Sequence, residues 1–330
     1  MKINKILLLV SIYLIFIINT SYGSTFEDWK KEFKILALSK GISENTFKKV
    51  MKNAKFLPKV IEYDRYQPEF YEDTKTYISK RTSKKKVKSG LNYYQNNMEI
   101  INLIDKNFNI EKELLLALMG IETNFGNYLG KMDIISSLST LSFDKRRSEF
   151  FTNELLTVLK LIDQGIVDPN ILYGSWAGAF GNFQFMPSTI EKYAIDYNNN
   201  NLIELKTNSD SFASAANYLN KMGWKKNEPC FKKVTLKSDV PKKILNTSAR
   251  KIKYQKKLKH YKKYISEDLD YDDNIKIAII TPDAEIVDKA NINDPAYIVF
   301  QNYELILKWN RSLRFGLAVC TLKEKFRNEL

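Results

Sequence analysis

Leu114–Gly126, LLLALMGIETNFG, is the stretch on which the reading of this chain turns. Leu114, Leu115, Leu118 and Ile121 recur three and four residues apart, the spacing of a buried helical face. Gly126 then offers a residue for the left-handed conformation in which helices end. At the end of this apolar run stands Glu122, whose burial as an anion is costly unless it is paired or protonated. Two readings follow: a solvated Glu at a helix terminus, or a carboxylic acid kept protonated by apolar surroundings and able to donate its proton. Spacing alone favours the first, and the rest of the chain favours the second.

Downstream, Gly174–Ser188 reads GSWAGAFGNFQFMPS. Small residues let backbone pass close to a ligand, and aromatic and amide side chains are the usual sugar contacts. Pro187 and Ser188 predict the start of a helix. Between these two stretches, Ser136–Phe143 leads through Arg146 and Arg147 into a helix ending near Leu161. Adjacent Arg residues either grip carboxylates through paired N–H groups or are ordinary surface charge. Asp196, Asn198 and Asn200 present oxygen donors at positions 1, 3 and 5 of a calcium-type loop, with the Leu202 carbonyl at 7 and Asp210 beyond. Asn201 stands where Gly is wanted and Thr207 where Glu is wanted, so few carboxylates reach the loop.

Towards the N-terminus, Met1–Gly23 has the pattern of an export signal: Lys2 and Lys5, an apolar run Ile6–Ile18, and small Ser21 and Gly23 before the cut. That run is short for a membrane span, and no Cys near the cut offers lipid attachment. The formal charge of +14 becomes +12 without Lys2 and Lys5. In an exported protein this basicity points to an anionic wall polymer or lipid surface rather than nucleic acid. One histidine, His260, argues against a His-based triad or zinc site. Cys230 and Cys320 can pair in an oxidising compartment or remain free, and both arrangements stay open.

From Phe26 to about Asn109 the pattern is helical, with one apolar face (Phe26, Trp29, Phe33, Leu36) stopping at Gly41 and an N-cap at Ser43. The basic run Arg81–Lys88 reads as a solvated face. Beyond Lys225, Val234–Leu236 and Ile275–Ile280 predict strands around a Lys-rich helix near Lys251–Tyr264. Tyr297–Phe300 and Tyr303–Trp309 predict paired strands with a turn at Gln301-Asn302. Phe315–Phe326 predicts a closing helix.

Asp64–Phe70 (DRYQPEF), Gly120–Gly126, Leu138–Phe151, Gly174–Ser188, Ala216–Trp224 (ANYLNKMGW) and Trp309–Ser312 (WNRS), in this order, resemble the lytic murein transglycosylase B family of exported, peptidoglycan-cleaving enzymes. The resemblance implies a mainly α (α+β) fold, with a lysozyme-like helical core, added N-terminal helices and a small β subdomain. The expected division is 1–23 signal, 24–110 helical subdomain, 111–224 catalytic core with the calcium-loop segment 196–210, 225–300 β subdomain and 301–330 return to the core. It makes Glu122 the sole acid/base and implies substrate contacts from Ser175, Gln184, Tyr218, Asn310, Trp309 and the Arg146–Arg147 pair. It also places a weak structural calcium on Asp196, Asn198, Asn200, Leu202 and Asp210, with no cofactor required. Three departures stand out: Trp309 replaces the usual Tyr, Phe183 occupies a site normally small or Pro, and the calcium loop has lost acidic ligands.

Ordinary glycosidases use two carboxyl groups, and the sequence offers only one in such a setting. The resemblance implies non-hydrolytic cleavage of the MurNAc–GlcNAc bond to 1,6-anhydro-MurNAc ends by a periplasmic monomer, and the single carboxyl agrees with it. The expected partners are glycan strands, peripheral membrane or wall-assembly contacts, and no nucleic acid. A hydrolytic muramidase and a non-catalytic wall-binding scaffold are the competing readings.

Overall fold

Four of the first helices begin alike: Thr25, Ser43, Asp73 and Ser83 each accept a hydrogen bond from the backbone N–H three residues on. Such caps satisfy amides that the helix itself leaves unpaired. They start α1 (Phe26–Ser39), α2 (Glu44–Met51), α4 (Thr74–Arg81) and α5 (Lys84–Asn96), while Pro58 opens α3 (Pro58–Arg65). The computed structural model describes residues 25–67, 71–288 and 290–330, so the expected export signal, Met1–Gly23, lies outside the described residues.

After α6 (Met98–Phe108) comes α7 (Lys112–Thr123), the helix of Glu122, and every residue from Leu114 to Gly120 on it is buried. A helix apolar all round belongs in the middle of a core. It packs along the closing helix α13 (Leu313–Arg327) and against α5, α6 and α11 (Asn208–Lys221). Gly90 and Gly120 permit this closeness, because a Cβ on either would lie within 2.8 Å of the Phe125 ring. The end of α7 differs from expectation. Asn124 (φ 51°) and Phe125 (φ 59°) are left-handed before Gly126 (φ 80°) is reached. Phe125 is thereby turned into the core, and Thr123 Oγ1 donates to Asn182 O at 2.8 Å and accepts Gly126 N.

The N-terminus of α7 is held by a buried charge cluster. Glu111 Oε1 lies 2.8 Å from Lys323 Nζ, and Glu111 Oε2 accepts the Trp224 indole N–H at 2.7 Å. Both charged side chains are inaccessible, so removing either would strand the other.

The remaining core helices are α8 (Ile134–Phe143), α9 (Ser148–Asp163) and α10 (Pro187–Tyr193), with a two-stranded ribbon of β1 (Met132–Asp133) and β2 (Tyr173–Gly174). A second apolar cluster lies under a five-stranded sheet of β3 (Phe231–Val234), β4 (Leu245–Asn246), β5 (Lys256–Lys257), β6 (Lys276–Ile280) and β7 (Ala296–Val299). Strand β7 lies between β3 and β6 and is antiparallel to both, β4 runs parallel to β6, and β5 pairs with β6. Asp283, just after β6, accepts from Thr74 and from Arg314, joining α4, this subdomain and α13. No helix among the described residues is long and apolar enough to cross a membrane.

Two expectations for local structure fail. Tyr303–Trp309 is part of a helix, α12 (Gln301–Trp309), not a strand. Tyr303, Leu305, Ile306 and Leu307 are all buried, and so dense an apolar run carries no period that separates strand from helix. The Lys251–Tyr264 region is not an α-helix but a short edge strand and two 3₁₀ turns. Lys256 and Lys257 are exposed on the edge strand, where charge discourages further pairing.

Cys230 and Cys320 form a disulfide, which decides the alternative the sequence left open and ties the start of the sheet to α13 across 90 residues. Replacing both with Ser is expected to lower unfolding free energy by about 2–5 kcal/mol in a denaturant titration. An unchanged midpoint would show that the bridge does not constrain this fold.

Candidate active site

Glu122 projects from the last turn of α7, half-buried where the preceding turns are fully enclosed. The indole Nε1–H of Trp309, at the end of α12, donates to Glu122 Oε1 at 3.0 Å. An indole N–H can donate but never accept, so this partner favours a carboxyl oxygen that bears no hydrogen. Trp309 is itself fixed by aromatic contacts: stacked on Tyr218 at 5.0 Å, and edge-on to Phe185 at 5.2 Å and Phe183 at 6.3 Å. Two of the three departures from the family pattern, Trp309 and Phe183, therefore touch each other, and the larger rings fill one shared space.

Trp309 lines a cavity of about 460 Å³ together with Gln184, Phe185, Tyr218, Arg147 and Glu154. Glu122 lines a second cavity of about 450 Å³ with Lys86, Asn124 and Tyr128. The Trp309–Glu122 hydrogen bond joins the walls of the two, so the carboxyl stands between an aromatic-lined and a polar cavity. Among the described residues, Glu122 is the only acidic residue lining the second. In the first the only described one is Glu154, whose two oxygens accept the Ser188 N–H at 2.8 Å and the Ser188 hydroxyl at 2.6 Å. Glu154 thus caps the start of α10, a structural use of its charge.

Gln184 adopts a left-handed backbone (φ 49°) and donates to Gly181 O and Leu129 O, which aims the Gly174–Ser188 loop at the cavity. Burial pushes the Tyr218 phenol up to about 12, so it remains a neutral hydroxyl and aromatic wall. Ser175 serves the loop itself: its Oγ accepts the Ala179 N–H at 3.0 Å, and it does not line the cavity. Asn310 caps α12, its carbonyl accepting the Ser312 N–H at 2.8 Å, and it too lies outside the lining.

The Arg pair has a partner inside the protein. Asp64, at the end of α3, is buried and accepts Arg146 Nε at 2.7 Å, while Arg147 donates to its other carboxylate oxygen. Arg146 also donates to the Asp64 carbonyl at 2.6 Å. Arg147 additionally lies over the Phe151 ring and lines the first cavity, and burial depresses its pKa. Both guanidiniums are thus spent first on neutralising a buried carboxylate.

Sequence reasoning missed Lys86. It belongs to the basic run Arg81–Lys88, yet its Nζ turns inward and donates to Gly120 O at 2.9 Å and Asn124 Oδ1 at 2.6 Å. A cation there satisfies the carbonyl end of the Glu122 helix. Burial lowers its pKa. One inward Lys among four neighbouring cations leaves no signal in sequence.

In the calcium-type loop, Asp196 accepts the backbone N–H of Asn200 at 3.1 Å and of Asn201 at 2.7 Å. Asn201 (φ 68°) takes the left-handed turn. The buried Asp210 accepts Tyr197 N and Glu204 N at 3.1 and 2.9 Å. Among the described residues no three acidic, His or Cys side chains are grouped as a metal site would need, so charged oxygen donors are few in this loop.

Residues 25–324 match the family described as the transglycosylase SLT domain. The chain belongs to that family. Membrane-bound lytic murein transglycosylase B of Escherichia coli (strain K12) is 36% identical over 143 residues, which is 43% of this chain and 40% of that protein's own length. Among solved structures, SltB3 from Pseudomonas aeruginosa in complex with NAG-anhNAM-pentapeptide superposes with a TM-score of 0.81 at 29% identity, covering 92% of this chain and 80% of that one. Escherichia coli Slt35 in complex with calcium shares the fold, with a TM-score of 0.74 at 23% identity, over 91% of this chain and 93% of that one. A lysozyme-like transglycosylase fold is thereby established for this family member.

Trp309→Phe removes the N–H and keeps one aromatic ring at the position, with some loss of packing against Tyr218, Phe185 and Phe183. Loss of this hydrogen bond, on the order of 1–1.5 kcal/mol, should lower kcat by about tenfold, with KM within about twofold. Steady-state kinetics on purified wall measure this, and an unaltered kcat would show that the bond does not position a carboxyl that turnover uses.

Proposed function

We propose that this family member is an exported lytic transglycosylase that cleaves peptidoglycan with Glu122 as acid and then base. The observation that carries the reading is the placement of Glu122: the only acidic group in its cavity among the described residues, at the end of a buried helix, held by Trp309 beside an aromatic-lined cleft. One carboxyl suffices when the substrate supplies its own nucleophile. Glu122 gives its proton to the oxygen linking MurNAc C1 to GlcNAc, and that C1–O bond breaks. The MurNAc N-acetyl group stabilises the positive charge at C1. Glu122, now a carboxylate, takes the proton of the MurNAc C6 hydroxyl as its oxygen bonds to C1. The proton count closes, water is not consumed, and the product is a 1,6-anhydro ring.

Gln184, Tyr218, Trp309 and Arg147 form the sugar-contacting wall in this reading, and Ser175, Asn310 and Arg146 support it through backbone and ion-pair contacts. Export is supported by the Met1–Gly23 pattern and by the disulfide, which persists in oxidising compartments.

Glu122→Gln preserves shape and removes the transferable proton. Turnover should fall by a factor of about a hundred to ten thousand, with the melting temperature and wall binding nearly unchanged. Chromatography of released muropeptides measures it, and near-wild-type release would place the acid elsewhere.

The calcium-type loop we assign to a weak structural cation held by Asp196, Asn198, Asn200, the Leu202 carbonyl and Asp210, which stiffens the loop and takes no part in bond cleavage. With a Kd on the order of millimolar, 10 mM calcium should raise Tm by roughly 2–4 °C. Asp196→Ala should abolish that rise. A wild-type Tm indifferent to calcium would make the loop a polar turn.

A further inference from the structure

Tyr128 is 73% exposed, more than any other large apolar or aromatic side chain among the described residues, so the core makes little use of its ring. Its backbone, by contrast, is held. Tyr128 N donates to Thr123 O at 2.9 Å, at the end of α7, and the Asn127 side chain donates to Asn124 O at 2.7 Å. Two residues beyond Tyr128, Gly130 (φ 83°) lies so close to β2 that a Cβ on it would meet Gly174 O at 2.0 Å. Between them, Leu129 O accepts from the Gln184 side chain at 3.3 Å, and Gln184 lines the Trp309 cavity. A loop fixed at both ends thus presents one large ring to solvent, tied to the wall of one cavity and lining the other.

That other cavity is the polar one of Glu122, where Lys86, Asn124, Ser83 and Ser89 stand beside the Tyr128 ring. A pyranose has an apolar face of C–H groups, which the negative face of an aromatic ring attracts. Its hydroxyl and acetamido groups require hydrogen bonds once they leave water. Among the described residues, Lys86 Nζ has acceptors for two of its three N–H groups, Gly120 O and Asn124 Oδ1, and a third N–H remains for an acetamido carbonyl. Cleavage at Glu122 needs a sugar on each side of the scissile oxygen, and the Trp309 wall accounts for one of them. We propose that Tyr128, together with Lys86, receives the hexosamine on the other side, and that its ring sets how tightly the enzyme holds glycan running past Glu122. The inference rests on the transglycosylase reading above and assigns residues to the half of the cleft which that reading left without any. A Tyr on a fixed loop suits the task, since only two side-chain torsions remain to be ordered when the sugar arrives.

The test uses the full-length mature enzyme. Wild-type release of anhydro-muropeptides from purified wall establishes the activity, and absence of release would overturn the transglycosylase reading itself. Binding is then measured by titration calorimetry in the Glu122→Gln background, with a peptide-free GlcNAc–MurNAc disaccharide and the corresponding tetrasaccharide as ligands. The tetrasaccharide, long enough to cross Glu122, should bind more tightly than the disaccharide. Tyr128→Ala should weaken tetrasaccharide binding about three- to tenfold and leave the disaccharide within about twofold. Tyr128→Phe keeps the ring and should stay within about twofold of the Glu122→Gln enzyme for both ligands. The Tyr128 ring is exposed, so neither change should move Tm, which separates a lost contact from a lost fold. In an enzyme that does release anhydro-muropeptides, any of four results would overturn the proposal: a tetrasaccharide bound no better than the disaccharide, no loss on Tyr128→Ala, an equal loss for both ligands, or an equal loss on Tyr128→Phe.

Discussion

The hydrogen bond from Trp309 to Glu122 spans 187 residues of sequence, and the site depends on it. A carboxyl at the carbonyl end of an apolar helix is electrostatically disfavoured, so donors must be brought to it from elsewhere. Lys86 supplies the helix end with a cation, and Trp309 supplies the carboxyl with an N–H. For Trp309 to arrive, α12 must be anchored. Asn302 does this at its start, exchanging hydrogen bonds with the backbone of Lys225, and the Tyr303 hydroxyl donates to Leu313 O at 2.6 Å. Helix α13 is in turn tied by the disulfide, by Lys323 to Glu111 and by Arg314 to Asp283. The return of the chain at residues 301–330 is therefore what completes the site around a helix laid down two hundred residues earlier.

Much of this was legible in sequence, for identifiable reasons. The buried span Leu114–Gly120 is apolar at every position except Gly120, and no surface helix tolerates that. The Gly174–Ser188 loop is conspicuous because small and aromatic residues alternate without charge, and the structure does bring Gln184 and Phe185 to the cavity wall. The Ser43 cap and the closing helix were likewise readable from local chemistry.

What escaped has a common cause: it depends on partners distant in sequence. Asp64 and the Arg pair lie 82 and 83 residues apart, and nothing local reveals that the guanidiniums face inward. Tyr303–Trp309 carries strand-like residues, and its dense apolar run has no period to reveal the helix that packs on α13. The left-handed Asn124 and Phe125 follow from a vacancy beside Gly90 and Gly120 that only the packed helices define. The two substitutions from the family pattern, Trp309 and Phe183, look like independent departures until the rings are seen in contact.

The central claim is that one carboxyl works without water as a reactant. Digestion of purified wall in ¹⁸O-labelled water, followed by mass spectrometry of the released muropeptides, tests it most directly. Transglycosylation by Glu122 predicts products whose MurNAc ends are lighter than a reducing end by one water and carry no ¹⁸O. Reducing MurNAc ends bearing ¹⁸O at C1 would mean hydrolysis, and would contradict the account.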